Sequence, residues 1–335
     1  MITMPTGKKP ILVSGLQPTG RLHIGNYLGA LKNMVALQNS GKYDCFFFIA
    51  DLHSLTEEFE PKVKHRQIVN LAADYLAVGL DPKKSVIFLQ SQVPAHSELS
   101  WIFNAIAPLG ELYRMTQFKD KSESQRHNVN AGLLTYPLLM AADILLYDPK
   151  FVPVGDDQVQ HLELTRTMAR KFNSRFGRTF TEPQPILTKA SRVMSLASPE
   201  KKMSKSTPES CLFMDDSSTD IKRKVMRAVT DSGSEIKHDV SKKPAISNLL
   251  EIYSGITCKP ISRLEKEFAG KRYSDFKASL AKELVSHLDP LRKRKKGLLK
   301  NPGGFKAILE DGRMCAERIA NAKIAEVKKK LGLVI

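Results

Sequence analysis

The sequence contains few cysteines and no long apolar run, and both absences narrow its class. The four cysteines stand at positions 45, 211, 258 and 315 without a CxxC pair, so neither a zinc site nor a disulfide framework is expected. This usage favours a reducing compartment. No window of about 18 uninterrupted apolar residues occurs, so no membrane-spanning helix is expected and a membrane is not an expected partner. The polar residues 1–10 do not resemble a signal peptide, and the expected location is cytoplasmic.

Acidic residues are also in deficit. The chain has 35 Asp and Glu against 52 Lys and Arg, giving a formal charge of +17. This excess says little about the fold but favours a polyanionic partner such as nucleic acid. The densest basic run is 292–296, which is either a solvated helix face or a phosphate contact. A length of 335 residues suggests about two domains, and no internal repeat is found.

The first half of the sequence alternates between short apolar runs and longer amphipathic ones. The apolar runs predict buried strands at 11–13, 45–50, 86–89 and 151–154. Between and after them, helical periodicity covers 24–38, 63–78, 97–106, 133–147 and 156–172. Strands that are apolar throughout and separated by helices predict a Rossmann-like, doubly wound parallel sheet in an α/β domain. Pro137 is expected to bend the fourth helix or to mark its start.

The second half shows no strand pattern after about residue 207. Helices are predicted at 221–229, 246–256, 263–268, 276–288 and 305–331, with breaks at Pro290 and at Gly303-Gly304. A mainly α-helical C-terminal domain is the simplest interpretation. Residues 119–130 are polar and lack periodicity, so a mobile surface loop is predicted there.

The segment Gly15–Asn26 is the first candidate for chemistry. It follows the first predicted strand and opens the first predicted helix, a junction at which open α/β sheets bind ligands. The N–H groups of a helix start suit a phosphate. Gly25 lets a nucleotide approach the backbone closely, and His23 supplies a donor for a phosphate oxygen. A glycine- and proline-rich turn with a satisfied histidine is the structural alternative.

The segment Lys201–Thr207 is the second candidate. Its lysines and hydroxyl groups predict either a mobile cationic loop or an exposed basic linker. Considered together, the two segments are far more specific. His23-Ile24-Gly25-Asn26 resembles the HIGH signature of class I aminoacyl-tRNA synthetases, and Lys202 to Ser206 is identical to the KMSKS signature of that class. Asn26 replaces the last histidine of HIGH, a departure common in one branch of the class.

Two further segments identify the branch. Gly132–Tyr147 and Val152–Arg166 are similar to the bacterial tryptophanyl-tRNA synthetases, and the resemblance runs from about residue 13 to 256. It implies activation of L-tryptophan by ATP with Mg²⁺, transfer to tRNA(Trp), and a homodimer. It also implies a catalytic domain at 1–206, a helical anticodon-binding domain at 207–300 and a C-terminal helical segment at 301–335. The loop 119–130 would contact the partner subunit, the acceptor stem or neither.

The resemblance also implies which residues form the site. The catalytic residues would be Lys202, Lys205, His23 and Thr19. The ATP site would contain Gln17, Pro18, Thr19, Gly25, Asn26, Gly155, Asp156, Asp157, Val193, Lys202, Met203, Ser204, Lys205 and Ser206. The tryptophan site would contain Asp143, Met140, Tyr136, Gln158, Val13, His53, Val152 and Val154. No dedicated metal site is expected, because the triphosphate would supply most ligands of Mg²⁺.

Asp143 has an independent physical argument. It stands in an otherwise apolar predicted helix, and aspartate is seldom buried without a partner. A structural cap or an ion pair is the plain alternative. The functional interpretation is an acceptor for the indole N–H of tryptophan, since indole has one donor and no acceptor. A phenylalanine side chain would leave that carboxylate unpaired, at a cost of about 1–3 kcal/mol or more.

Three other functions compete with this one. A tyrosyl-tRNA synthetase shares the architecture, but a phenol needs more polar groups than the apolar surroundings of Asp143 offer, Tyr136 apart. Other adenylating nucleotidyltransferases with an HIGH-like motif are shorter and lack the long helical half. A non-enzymatic nucleic-acid-binding protein would keep tRNA binding without ATP–pyrophosphate exchange. Complete signatures make this third alternative the weakest.

Overall fold

A computed structural model describes residues 9–118, 127, 129–155, 158–187 and 192–333. Its sheet contains five parallel strands, β1 (Ile11–Leu16), β2 (Asp44–Ile49), β3 (Ser85–Leu89), β4 (Phe151–Val154) and β5 (Gln184–Leu187). Their order is β3-β2-β1-β4-β5. The order therefore reverses between β1 and β4, which is where sheets of this kind bind ligands. The predicted Rossmann-like parallel sheet is confirmed.

The helices follow the predicted alternation in the first half of the chain and then dominate the second. The first begins at Ile24–Asn26 and continues through a π-helical turn, Tyr27–Leu31, into Lys32–Asn39. The others are Pro61–Ala77, Ala95–Ile106, Leu109–Tyr113, Ala131–Leu145, Val159–Phe176, Ser218–Arg227, Pro244–Thr257, Ile261–Glu267, Tyr273–Lys300 and Pro302–Lys330. Among the residues described, no helix is both long and apolar enough to cross a membrane.

Two prolines lie inside helices, and Pro137 does not mark a helix start. Pro137 lies inside the helix Ala131–Leu145, which begins six residues earlier, where the Asn130 side chain accepts a hydrogen bond from the N–H of Leu133. Pro290 likewise lies inside the continuous helix Tyr273–Lys300. A proline removes only one backbone hydrogen bond, and packing along each helix outweighs that loss. The predicted break at Pro290 is therefore wrong.

The chain divides into two compact units that are not continuous in sequence. Unit one comprises Met1–Thr19, Met34–Thr188 and Asn301–Ile335, and unit two comprises Gly20–Asn33 and Lys189–Lys300. Unit one holds the sheet, and the described part of unit two is mainly helical. The functional ranges 1–206, 207–300 and 301–335 remain predictions and do not coincide with these units.

The C-terminal helix completes the core of unit one. Pro302–Lys330 packs along β3 and along the helix Ala95–Ile106, and it buries Cys315, Ala316 and Ala320. Gly312 makes this approach possible, because a Cβ at that position would stand 1.9 Å from the carbonyl oxygen of Ile87. The last segment of the chain is thus structural in unit one.

We expect Gly312→Ala to lower the free energy of unfolding by about 3 kcal/mol, since the backbone of β3 cannot yield as a flexible side chain would. The matched control is Gly297→Ala, also within a helix but with no atom near an added Cβ. It should be neutral or stabilising by up to about 1 kcal/mol. Urea unfolding followed by circular dichroism measures both. Equal stability of the two variants would contradict this packing.

Candidate active site

The Asp143 carboxylate is the centre of a buried hydrogen-bond network in unit one. Its Oδ2 lies 2.7 Å from His53 Nε2 and its Oδ1 lies 2.6 Å from His96 Nδ1. Gln90 Nε2 donates to both oxygens, at 2.7 and 2.8 Å. The backbone N–H of Leu52 donates to Gln90 Oε1, so the orientation of that amide is fixed. Every acceptor face of the carboxylate therefore meets an N–H group.

These donors keep Asp143 ionised although only 1% of it is exposed. Burial by itself would raise its pKa, but the hydrogen bonds and charges of His53 and His96 outweigh burial and lower the pKa to about 2. A carboxylate in this state only accepts hydrogen bonds. The apolar helix therefore presents an acceptor, as the indole hypothesis requires. A tryptophan N–H bonded to Asp143 would replace or share one of the present donors.

Other residues predicted for tryptophan lie in the same unit. Met140 packs against a small cluster that includes Val152 and Val154, and Val13 is fully buried in β1. Tyr136 stands two helical turns before Asp143, on the same helix. Its hydroxyl lies 2.8 Å from Nε2 of His161, and the two rings stack.

The carboxyl ends of β1 and β4 carry the first part of the predicted nucleotide site. Gln17, Pro18 and Thr19 follow β1 directly, and the N–H of Thr19 donates to the carbonyl of Gln17. Gly155 follows β4, and Gln158 precedes the helix Val159–Phe176. Since β1 and β4 are neighbours, these segments lie at one edge of the sheet. Asp156 and Asp157 lie outside the described residues.

His23 is held in unit two as the cap of a helix start. Its Nδ1 accepts the N–H of Gly25, and its own N–H donates to Oδ1 of Asn26. Burial, followed by the charges of Lys205 and Lys202, lowers the pKa of His23 to about 4. The imidazole is therefore neutral at pH 7, and its proton is on Nε2 because Nδ1 is an acceptor. Nε2 is thus available as a hydrogen-bond donor.

The KMSKS segment lies close enough to His23 for its charges to act there. Met203 is buried and donates its N–H to the carbonyl of Val193, while Val193 would be 3.4 Å from a Cβ at Gly25. Ser204 and Ser206 share a hydrogen bond of 2.8 Å. Two lysines, a histidine donor and a glycine helix start are thereby gathered in one unit. This arrangement suits a polyphosphate.

An ion network around the buried carboxylate of Asp216 holds the His23 segment in place. Backbone hydrogen bonds join Ile24 to Leu212 and Met214 to Leu22. Beside them, Asp216 accepts hydrogen bonds from Arg21 at 2.8 Å and from Lys224 at 2.7 Å. These contacts anchor the segment that carries the signature residues.

The basic residues of 222–227 and of the run that begins at Arg292 are of two kinds. Lys224 is buried, and Arg223 pairs with Glu209 and Asp220. Arg292 is held by Asp216, Ser218 and Asp289. These three cations are structural. The exposed members of the run after Arg292 are Lys293, Arg294, Lys296 and Lys300.

Sequence reasoning missed two partners of Asp143, Gln90 and His96, and also Tyr147, the partner of His96. Gln90 and His96 follow β3, and Tyr147 follows the Asp143 helix. Their only sequence signal is the position of Gln90 and His96 just after a strand, where ligand-site residues gather in such sheets. His161, the partner of Tyr136, was also missed.

Known proteins are similar to this chain in sequence and in fold. A family profile described as tRNA synthetases class I (W and Y) matches residues 5–289. The tryptophan–tRNA ligase of Caldanaerobacter subterraneus subsp. tengcongensis is 48% identical over 325 residues, which cover 96% of this chain and 98% of that protein. The Bacillus anthracis tryptophan–tRNA ligase is 47% identical over 326 residues, covering 96% and 98%.

Solved structures agree. The tryptophanyl-tRNA synthetase of Mycoplasma pneumoniae matches with a TM-score of 0.89 at 35% identity, covering 97% of this chain and 98% of that one. The Campylobacter jejuni tryptophanyl-tRNA synthetase, complexed with ADP and tryptophan, matches with a TM-score of 0.82 at 35% identity, covering 96% and 99%. The chain therefore belongs to the class I tRNA synthetases for tryptophan and tyrosine, and within them to the bacterial tryptophanyl type.

Proposed function

We propose that the protein is a tryptophan–tRNA ligase. In the first step the carboxylate of L-tryptophan attacks the α-phosphate of ATP, giving tryptophanyl-adenylate and pyrophosphate. In the second, the terminal ribose of tRNA(Trp) takes the amino acid and AMP leaves. The observation that carries the proposal is the gathering of His23 with Lys202 and Lys205, whose charges reach its ring although they are far away in the sequence.

The chemistry of activation requires positive charge where negative charge develops. Phosphoryl transfer needs positioning and electrostatic stabilisation more than covalent help. Lys202 and Lys205 are suited to the β- and γ-phosphates, and the neutral His23 donates a hydrogen bond through Nε2. The helix start at Gly25 offers backbone N–H groups to the same anion. On unit one, Asp143 selects the indole ring.

Magnesium is expected as a partner of the nucleotide. Among the described residues, no group of three or more His, Cys, Asp or Glu side chains is placed to hold a metal ion. Mg²⁺ commonly takes few protein ligands and several phosphate oxygens and waters, so we expect it to be delivered with ATP. When bound, it neutralises phosphate charge.

Amino-acid-dependent exchange of labelled pyrophosphate into ATP tests the activation step. The purified protein should support exchange with L-tryptophan and not with L-tyrosine or the other eighteen amino acids. Exchange with none of the twenty amino acids would show that the protein does not activate amino acids. Exchange with tyrosine alone would assign the chain to the other substrate of its family.

The second substrate fits the basic charge of the chain. A formal charge of +17 suits an RNA that is held largely through phosphates. Residues 290–300 contain six basic side chains and no acidic one. Arg292 is tied into the protein by the contacts above. The exposed Lys293, Arg294, Lys296 and Lys300 are therefore the candidates for tRNA contact in unit two.

We expect the double variant Lys293→Gln, Arg294→Gln to bind tRNA about tenfold more weakly. Its plot of log affinity against log salt should be shallower by about 1–2, because fewer counterions are released. The matched control changes another exposed adjacent pair, Lys83→Gln with Lys84→Gln. Filter binding over a salt series measures both. An equal loss of tRNA affinity in the two double variants would show that only the net charge of the protein matters.

A homodimer is proposed on a separate observation. Trp101, Leu109 and Tyr113 are 74%, 57% and 52% exposed, within a short stretch of unit one. Large apolar side chains exposed together commonly mark a protein interface. A second copy of this chain is the proposed occupant, and sedimentation of the protein over a concentration series tests it. A monomer at micromolar concentration would reject the dimer.

A further inference from the structure

The Asp143 network extends one step beyond the residues that would meet the substrate. His96 has no exposed surface, and its two ring nitrogens bond in opposite directions. Nδ1 lies 2.6 Å from Asp143 Oδ1, and Nε2 lies 2.8 Å from the hydroxyl of Tyr147. The rings of Phe48 and Phe88 pack around the imidazole. Within the part of the chain that the structure describes, the His96 imidazole has hydrogen bonds to Asp143 and Tyr147 alone.

The partners assign the proton positions. A carboxylate only accepts, so the nitrogen that faces Asp143 must carry a hydrogen. In a neutral imidazole the other nitrogen is then an acceptor, which the Tyr147 hydroxyl satisfies as donor. Burial raises the pKa of Tyr147 far above its ordinary value, so this hydroxyl keeps its proton. With a neutral imidazole, the order Tyr147 to His96 to Asp143 has one consistent set of donors and acceptors, and with an imidazolium both nitrogens donate.

We propose that His96, held by Tyr147, is a positioning residue for tryptophan selection that fixes the direction and the acceptor character of the Asp143 carboxylate. The inference rests on the proposed function, since it assigns the indole N–H to Asp143. A free carboxyl at this depth would take up a proton and become a donor on one oxygen. It would then discriminate less strongly between an N–H ring and a hydrocarbon ring, because one of its oxygens has become a donor and its charge is lost.

The other titratable groups near Asp143 do not duplicate this role. His53 bonds to the opposite oxygen of Asp143 and is 6% exposed, whereas His96 has no exposed surface. Gln90 donates but carries no charge. The thiol of Cys315, from the C-terminal helix, acts on Tyr147. These groups are the same in every variant below.

The test compares His96→Ala with His96→Asn in the full chain, by calorimetric titration with L-tryptophan from about pH 5 to about pH 7. Asparagine places an N–H near the position of Nδ1 and is the conservative rescue. We expect His96→Ala to weaken binding at least about tenfold, and its affinity to fall further toward pH 5, because burial then raises the pKa of Asp143. Wild type and His96→Asn should show flat profiles.

Tyr147→Phe keeps the test decisive if His96→Ala does not fold. It removes only the hydroxyl that fixes the imidazole, and a several-fold loss with the same pH dependence is expected. Tyr147→Phe should cause no further loss of affinity in the His96→Asn background, because the imidazole that Tyr147 holds is absent there. Unchanged affinity and a flat pH profile in His96→Ala would overturn this inference but not the proposed function. If His96→Ala does not fold, the same result in Tyr147→Phe would do so. A wild-type protein that binds no tryptophan would overturn the proposed function instead.

Discussion

Lys205→Ala should lower the rate of tryptophan activation by about 10²–10³-fold while changing tryptophan affinity little. The charge of Lys205 reaches His23 in the structure, and the proposed role of that charge is to stabilise the leaving pyrophosphate. Removing one preorganised electrostatic contact to a transition state costs about this much in rate. Single-turnover measurement of adenylate formation, with calorimetry for tryptophan, separates the two quantities.

The matched control for this variant is Lys201→Ala. Lys201 belongs to the same segment and is exposed, and its carbonyl accepts the N–H of Ser195, a bond that substitution of the side chain preserves. It should activate tryptophan nearly as well as wild type. A loss in Lys201→Ala equal to that in Lys205→Ala would show that only the general charge of the segment matters. Equal loss of rate and of affinity in Lys205→Ala would contradict a role confined to the transition state.

Asp143→Asn should weaken tryptophan binding by about 100-fold and leave the much weaker binding of phenylalanine nearly unchanged. The substitution keeps the volume but replaces one acceptor oxygen by a donor, which would face an N–H from His53, His96 or the indole. A hydrogen bond to a charged group contributes about 1.5–3 kcal/mol, and a donor forced against a donor adds to the loss. Competitive calorimetry with the two amino acids measures the ratio of affinities.

Loss of stability must be distinguished from loss of selection in that experiment. Asp74→Asn is the control, because Asp74 is a second aspartate on a helix of unit one and is only 5% exposed. Both variants should unfold at lower urea concentrations than wild type, but only Asp143→Asn should lose the preference for tryptophan. An Asp143→Asn protein that keeps the full preference would show that the carboxylate is structural.

The sheet was predictable because its strands are apolar along their whole length. The apolar runs of β1 to β4 could be recognised as strands without knowing which strand each one pairs with. By contrast, β5 has the sequence Gln184-Pro185-Ile186-Leu187, and Gln184 and Leu187 are exposed, so its pairing with β4 alone makes it a strand. The position of the C-terminal helix could not be predicted from the sequence either. It depends on the contact of Gly312 with Ile87, which no local sequence pattern encodes.

The candidate site divides in the same way. His23 and Lys205 carry a linear signature, and Asp143 is a charge in an apolar helix, so all three could be chosen from the sequence. His96 and Tyr147 have no such mark, because their role exists only where separate elements meet around Asp143. Likewise Lys224 and Arg292 look like the other basic residues in the sequence. Only the structure shows that they are tied to Asp216.

The most direct measurement is the charging of unfractionated bacterial tRNA by the purified protein, with ATP, Mg²⁺ and each of the twenty labelled amino acids in turn. Tryptophan alone should appear in acid-precipitable tRNA, and the double variant Lys202→Ala, Lys205→Ala should abolish it. Charging with tyrosine, or binding of tRNA without charging by any amino acid, would contradict the account.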